Sequence, residues 1–154
     1  MKKYLVIGNP IEHSLSPKLH NYWFEKNDID ANYSKRKIDK NKIQEVILEI
    51  KDKKLDGINV TVPFKGDVIP FLDTLSEESK ITQSVNTIFI QDDKLIGHNT
   101  DIKGFELSLR EAHFDLKDKK IFILGAGGVV PSIIYALEKA GVSKIIVSNR
   151  TKQR

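Results

Sequence analysis

In the stretch Ile121-Phe122-Ile123-Leu124-Gly125-Ala126-Gly127-Gly128, an apolar strand runs directly into a glycine turn, and a helix is predicted to follow as far as about Ala140. Such a turn at a helix N-terminus lets backbone N–H groups approach a pyrophosphate, and the helix dipole adds to the attraction. The usual G-x-G-x-x-G pattern requires glycine at position 130, which is Val130 here. The motif by itself therefore predicts a dinucleotide site and close packing of a helix on a strand equally well.

A second apolar strand, predicted over residues 144–148, ends in Asn149-Arg150-Thr151. NAD-binding units usually have an acidic side chain here for the ribose hydroxyls. Arg150 and Arg154 are present instead, and guanidinium groups bind phosphate in a bidentate manner. The sequence therefore predicts NADP(H) rather than NAD(H), and the alternative is a solvated basic chain end. The predicted cofactor-binding residues are Gly125, Ala126, Gly127, Gly128, Asn149, Arg150, Thr151 and Arg154.

Upstream of the glycine turn, short stretches rich in Val and Ile alternate with segments of helical period, which is typical of a parallel sheet covered by helices. The apolar stretches are residues 4–7, 58–62, 85–90, 121–124 and 145–147. Amphipathic helices are predicted from the apolar stripes Leu19, Tyr22, Trp23; Ile43, Val46, Ile47, Ile50; and Ile102, Phe105, Leu109, Ala112, the last with Thr100 as its N-cap residue.

A polar stretch over residues 113–120 separates the third of these helices from the strand before the glycine turn. We place a domain boundary there, with one domain over residues 1–112 and a second over residues 113–154. The first is a common domain size. The second amounts to one strand–helix–strand unit, which seldom folds alone and leaves a strand edge uncovered. We therefore expect the second domain to be incomplete in this sequence.

Polar clusters interrupt or end the strands of the first region, and caps and turns explain each of them singly. Ser16 and Pro17, for example, have the pattern of an N-cap residue and a first helical residue. Asn59 and Thr61 alternate with apolar residues, which predicts that they share one strand face. Together the clusters supply one ammonium, one carboxylate, two amides and several hydroxyls, which suits a polyhydroxylated acid. The residues concerned are Ser14, Ser16, Asn59, Thr61, Lys65, Asn86 and Asp101.

The composition argues against several classes of protein. The 25 Lys and Arg residues exceed the 21 Asp and Glu residues by only four, and the charge is spread along the chain, which favours a small anionic ligand over nucleic acid. The sequence has no cysteine, so it contains no disulfide or thiolate metal site. Its apolar stretches are too short for a signal peptide or a membrane span, and we expect a cytoplasmic protein. The four histidines lack the spacing of metal ligands, so we expect no metal and treat them as solvated or locally bonded.

The motifs together resemble the shikimate dehydrogenases, NADP-dependent enzymes that reduce 3-dehydroshikimate to shikimate on the route to aromatic amino acids. The matching motifs, in the family's order, are Ser14-Leu15-Ser16-Pro17, Asn59-Val60-Thr61-Val62-Pro63-Phe64-Lys65, Val85-Asn86-Thr87, Gly97-His98-Asn99-Thr100-Asp101, Gly125-Ala126-Gly127-Gly128 and Asn149-Arg150-Thr151. The resemblance implies a three-layer, open, mainly parallel α/β sheet followed by the first βαβ unit of a Rossmann-type NADP-binding domain.

The resemblance also implies roles for individual residues. Ser14 and Ser16 would bind the substrate carboxylate, and Lys65 and Asp101 would form the catalytic pair. The substrate hydroxyls would be held by Asn59, Thr61, Asn86 and Asp101. In reduction Lys65 would donate a proton to the ketone oxygen, a step that typically contributes about 10²- to 10⁴-fold.

The chain departs from the family at two points. Relatives commonly have Gly-Ala where this chain has Gln83-Ser84, just before Val85. Relatives also continue through the Rossmann domain and return a C-terminal segment, with a glutamine and a tyrosine, to the substrate. Two alternatives therefore stay open at this point: a shikimate-binding module without redox activity, and a quinate-type dehydrogenase. The sequence leaves the oligomeric state open.

Overall fold

The computed structural model describes residues 1–151, which contain eight strands and five α-helices. In chain order these are β1 (Lys2–Gly8), α1 (Ser16–Lys26), β2 (Ala31–Lys37), α2 (Ile43–Lys51), β3 (Gly57–Val60), β4 (Thr74–Leu75), α3 (Glu77–Thr82), β5 (Thr87–Gln91), β6 (Lys94–His98), α4 (Asp101–Glu111), β7 (Lys120–Leu124), α5 (Val130–Lys139) and β8 (Lys144–Ser148). Two short 3-10 helices, Lys40–Lys42 and Ile69–Phe71, lie in the connections.

The strands form two sheets. The first has six strands in the order β2-β1-β3-β5-β6-β4, and the second contains β7 and β8 side by side. Strand β5 runs antiparallel to β3 and β6, and every other pair in the described residues is parallel. The prediction of a mainly parallel α/β sheet followed by a βαβ unit is therefore confirmed.

Helices cover both faces of the first sheet, as the period-2 alternation of β1 requires. Leu5 and Ile7 point into the larger core, where the predicted stripe of α2 packs against the sheet. Val6 points to the opposite face, where it packs in a smaller cluster with Tyr33. The four apolar residues of the α2 stripe are almost completely buried, and each stabilises the fold by about 1.5–3 kcal/mol.

The apolar stripe predicted for α1 does not face the core, and this expectation is wrong. Leu19, Tyr22 and Trp23 are all about half exposed, and α1 buries none of its residues. The helix instead meets the sheet through His20 and Phe24, which are one turn apart. His20 stacks on Tyr33 with ring centroids 4.2 Å apart, and Phe24 lies 5.8 Å from the ring of Tyr4. An aromatic pair at i, i+4 thus outweighs the stripe that the sequence period suggests.

Two predicted N-caps are also corrected. Ser16 is the first residue of α1, Leu15 occupies the N-cap position without a side-chain bond, and the Ser16 N–H donates to Ser14 Oγ at 3.3 Å. Thr100 does occupy the N-cap position of α4, but its side chain makes no capping bond. The preceding residue, Asn99, performs that role.

Strands β2, β4 and β6 were not predicted from the sequence. Strand β2 is an edge strand with Lys35, Arg36 and Lys37 in its second half, and charged side chains on an edge are a common means of preventing sheet-to-sheet association. Strands β4 and β6 are too short and too polar to show a clear period. The segment between α4 and β7 contains only turns and irregular backbone, and a domain boundary at residue 113 stays a prediction.

Candidate active site

The centre of the candidate site is an ion pair between two elements that are distant in sequence. Lys65 lies in the turn that follows β3, and Asp101 is the first residue of α4. Lys65 Nζ donates to Asp101 Oδ2 at 2.6 Å, and the two side chains are 11% and 22% exposed. The carboxylate therefore fixes the direction of the ammonium group in a position from which most water is excluded.

The second oxygen of Asp101 is held by an amide. Asn86 Nδ2 donates to Asp101 Oδ1 at 3.0 Å and to Thr100 Oγ1 at 2.8 Å. Asn86 Oδ1 accepts the backbone N–H of Thr100 at 3.0 Å. Both ends of one side-chain amide are thus attached to the start of α4, so the Asp101 carboxylate has little freedom to rotate.

Asn59 extends this network away from the ion pair. Its Nδ2 donates to Thr87 Oγ1 at 3.0 Å and to the Asn86 carbonyl at 3.1 Å, and its Oδ1 accepts from the Tyr33 hydroxyl at 2.6 Å. Burial raises the pKa of Tyr33, which keeps the hydroxyl a donor. A continuous set of hydrogen bonds therefore runs from Tyr33 to Lys65. Because both N–H donors of Asn59 are used within the protein, only its oxygen has capacity left for a ligand.

The two serines and Thr61 line a separate pocket, whose wall is completed by Val6, Pro10, Ile11, His13 and Val62. Thr61 belongs to the same turn as Lys65, since the Phe64 N–H donates to its carbonyl at 3.0 Å. The expectation that Asn59 and Thr61 share one strand face is wrong, because β3 ends at Val60 and the next residues form a turn. Pro63 has no N–H with which to continue the ladder.

The glycine turn lies at the carboxyl end of β7 and has the conformation of a ligand loop. Gly125 has φ +101°, which side-chain-bearing residues rarely adopt, and its N–H donates to the Ser148 carbonyl at 2.7 Å. A Cβ atom placed on Gly125, Gly127 or Gly128 would meet no heavy atom of the described residues within 4 Å. Close packing of the helix on the strand therefore does not explain these glycines. The space beside them fits a phosphate-bearing group.

The other predicted cofactor residues follow β8. The register of Leu124 with Ser148 brings the ends of β7 and β8 to one edge, so residues 149–151 lie at the same edge as the glycine turn. Asn149 Nδ2 donates to the Thr151 carbonyl at 2.8 Å, and Arg150 is exposed. Arg154 lies outside the described residues.

Asn99 is an important residue whose role was not predicted from the sequence. Its Oδ1 accepts the backbone N–H of Asp101 at 3.0 Å, and its Nδ2 donates to Ser132 Oγ at 2.7 Å and to the Ser84 carbonyl at 2.9 Å. An asparagine just before a predicted helix is a capping signal that could have indicated the first bond. Nothing in the sequence points to its contact with Ser132, which is 33 positions away.

Two histidines are less solvated than expected. His20 stacks on Tyr33, and burial lowers the pKa of its imidazole. The Nδ1 atom of His98 is buried without a hydrogen-bond partner in the described part of the chain. Within residues 1–151, no three His, Asp or Glu side chains are grouped so that they could hold a metal ion. In the same residues, every helix is too short or too polar to cross a membrane.

Comparison with protein families gives two matches. Residues 6–88 match the family described as "Shikimate dehydrogenase substrate binding domain". Residues 106–154 match the family described as "Shikimate / quinate 5-dehydrogenase". The first match covers more than half of the chain and includes the serines, Asn59, Thr61, Lys65 and Asn86.

Individual relatives agree with the family matches. A protein named "Shikimate dehydrogenase (NADP(+))" from Pelagibacter ubique is 58% identical over 151 residues, which is 98% of this chain and 57% of the relative. A crystal structure of shikimate dehydrogenase 1 from Peptoclostridium difficile superposes with a TM-score of 0.93 at 34% identity, over 99% of this chain and 56% of that one. A Thermus thermophilus shikimate 5-dehydrogenase in complex with NADP(H) and shikimate gives a TM-score of 0.90 at 32% identity, over 99% of this chain and 57% of that one. The chain thus spans little more than half the length of these relatives.

Proposed function

Because the chain belongs to the shikimate dehydrogenase family, we propose that it carries out the reversible, NADPH-dependent reduction of 3-dehydroshikimate to shikimate in the biosynthesis of aromatic amino acids. The observation that supports this most directly is the bond of 2.6 Å between Lys65 Nζ and Asp101 Oδ2. A ketone reductase requires a positioned proton donor, and this ammonium group is held in one direction by a carboxylate.

The substrate side of the proposal uses two neighbouring groups of residues. Ser14 and Ser16 bind the carboxylate of the substrate from the pocket that they share with Thr61, beside the N-terminus of α1. Thr61, Asn86 and Asp101 bind its hydroxyls. Asn59 contributes through its one free acceptor site and by holding Asn86, since its donors are already used.

On the cofactor side, the open space beside Gly125, Gly127 and Gly128 supports binding of the pyrophosphate at the start of α5. The backbone of Ala126 lies within this turn. Arg150 and Arg154 bind the 2′-phosphate of NADP, next to Asn149 and Thr151. We assign the substrate-binding unit to residues 1–112 and the NADP-binding unit to residues 113–154.

The chemical step follows from these positions. Bound NADPH supplies a hydride to the ketone carbon, and negative charge then develops on the ketone oxygen. Lys65 donates its proton to that oxygen, and in the oxidative direction the neutral amine takes the proton back. Asp101 orients the ammonium group and accepts a hydrogen bond from a neighbouring substrate hydroxyl. The protein holds both groups before substrate arrives, so little reorganisation is needed.

Calorimetry on this chain tests the proposal. We expect saturable binding of both shikimate and NADPH, together with oxidation of NADPH, followed by its absorbance, when 3-dehydroshikimate is added. Binding of shikimate without binding of NADPH would overturn the redox activity and favour a shikimate-binding module. Binding of neither ligand would overturn the proposal as a whole.

The substrate and the cellular location have their own tests. The second family match names quinate as well as shikimate, so turnover of the two acids must be compared. We propose shikimate as the preferred substrate and the cytoplasm as the location, which cell fractionation would test. A quinate turnover above that of shikimate would reassign the substrate.

A further inference from the structure

Three buried polar residues connect the candidate catalytic pair to the glycine turn. Ser84, Asn99 and Ser132 are each at most 2% exposed, and we call them the buried polar cluster. Asn99 Nδ2 donates to Ser132 Oγ on α5 and to the Ser84 carbonyl, and Ser84 Oγ donates to the Gly128 carbonyl at 3.2 Å. Burial of unpaired polar groups is costly, so these groups remain bonded to each other while the fold is intact.

The cluster is attached to the catalytic pair at two points. Asn99 Oδ1 accepts the N–H of Asp101, the residue that binds Lys65. On the other side, the N–H of Val85, next to Ser84, donates to the carbonyl of Lys65 at 2.9 Å. Each member of the catalytic pair is therefore one hydrogen bond away from the cluster or its immediate neighbour.

The chemistry of Asn99 suits the transmission of small movements. Its side-chain amide is planar, so the distance between its oxygen and nitrogen is fixed while the oxygen holds α4 and the nitrogen holds α5. A shift of α5 or of the glycine turn therefore moves the N-terminus of α4, or else a buried hydrogen bond must break. Apolar contacts alone would allow the helices to slide past each other.

From this geometry we infer that the buried polar cluster is a positioning device that couples ligand occupancy of the glycine turn to the placement of Asp101 and Lys65. The inference rests on the proposed function and deepens it. A ligand at Gly125–Gly128 restrains the Gly128 carbonyl and the start of α5, and the cluster passes this restraint to the start of α4. By linkage, shikimate and NADP⁺ should each strengthen the binding of the other.

The test is calorimetric titration of the 154-residue chain with shikimate, with and without saturating NADP⁺. For the parent chain we expect NADP⁺ to lower the Kd of shikimate by about fivefold or more. In Ser132→Ala, which removes the hydroxyl bonded to Asn99, the two Kd values should agree within about twofold. Ser143→Ala is the matched control, because Ser143 is an exposed serine of the same unit that bonds only to the Asp118 and Lys119 carbonyls among the described residues. This control should behave like the parent chain.

A second variant and a second measurement protect the test against misfolding. Ser84→Ala removes only the bond to Gly128 and should also abolish the coupling, so it decides the matter if Ser132→Ala unfolds. Amide hydrogen exchange at Asp101 and Ile102, whose N–H groups donate to Asn99 Oδ1, should slow on addition of NADP⁺ in the parent chain but not in the serine variants.

The outcomes separate this inference from the proposed function. If the parent chain binds both ligands without mutual effect, or if both serine variants keep the parental coupling, the inference is overturned and the proposed function stands. If the parent chain binds neither ligand, both are overturned. Loss of coupling in Ser132→Ala and Ser84→Ala, but not in Ser143→Ala, supports the inference.

Discussion

Lys65 and Asp101 are 36 positions apart in sequence, yet their side chains meet at 2.6 Å. The contact forms because the turn after β3 and the start of α4 lie on the same side of the sheet, where Asn86 holds the remaining oxygen of Asp101. The pair is mostly shielded from solvent. A lysine held in this way is suited to transfer a proton at a fixed point in space.

The first prediction concerns Lys65 itself. In a version of the protein that has a complete cofactor domain, Lys65→Ala should lower kcat by about 10²- to 10⁴-fold, because the proton donor is lost. The Kd of shikimate should change much less, since the serines and amides remain. Lys94→Ala, at an exposed lysine of β6, is the control. A kcat within a few-fold of the parent value would show that Lys65 is not the acid.

The second prediction concerns the carboxylate pocket. Ser16→Ala should raise the Kd of shikimate about tenfold, because a charge-assisted hydrogen bond is lost. The thermal midpoint should hardly move, since the Ser16 hydroxyl makes no capping bond in α1. Ser34→Ala, on the exposed side of β2, should leave both quantities unchanged. Equal affinities for the three chains in calorimetry would contradict the assignment of the carboxylate site.

The third prediction separates the conformational role of the glycine turn from its ligand role. Gly127→Ala should leave the free energy of unfolding within about 0.5 kcal/mol of the parent, because the added Cβ meets no described atom. NADPH binding should nevertheless weaken at least about tenfold, since the methyl group occupies the space of the ligand. Gly125→Ala should instead destabilise the fold by about 1–2 kcal/mol, because of its positive φ. Unchanged NADPH affinity in Gly127→Ala would place the cofactor elsewhere.

The fourth prediction concerns the far end of the hydrogen-bond network. Tyr33→Phe removes the donor to Asn59 Oδ1 and should lower the free energy of unfolding by about 1–2 kcal/mol. Burial raises the pKa of Tyr33, so the unfolded chain ionises first and the parent loses this stability as the pH rises above about 10. The stability difference between the parent and Tyr33→Phe should therefore narrow in alkaline denaturant titrations. Tyr22→Phe, at an exposed tyrosine, should show neither effect.

The fifth prediction concerns His20. Burial lowers the pKa of this imidazole, so the unfolded chain takes up the proton first and the parent loses stability as the pH falls below about 6.5. His20→Phe keeps an aromatic ring beside Tyr33 but cannot titrate. Urea unfolding at pH 7.5 and pH 5 should show the variant gaining stability relative to the parent at the lower pH. A constant difference would mean that His20 titrates as it does in the unfolded chain.

Much of the fold could be predicted from local patterns. The stripe of α2 and the apolar runs of β1, β3, β5, β7 and β8 reflect burial, which selects apolar residues at the period of each element. The edge strand β2 left no such signal, because its charges face solvent. The stripe of α1 gave a misleading signal, because a helix that presents His20 and Phe24 to the sheet leaves Leu19, Tyr22 and Trp23 outside.

The candidate site divides in the same way. The residue types and their order along the chain, from the serines to the glycine turn, were readable from the sequence because each motif is a local turn, strand end or helix start. The pairing of Lys65 with Asp101, the use of both Asn59 donors within the protein and the contact of Asn99 with Ser132 were not readable. These depend on distances between elements far apart in the chain, and only the packing of helices on the sheet sets such distances.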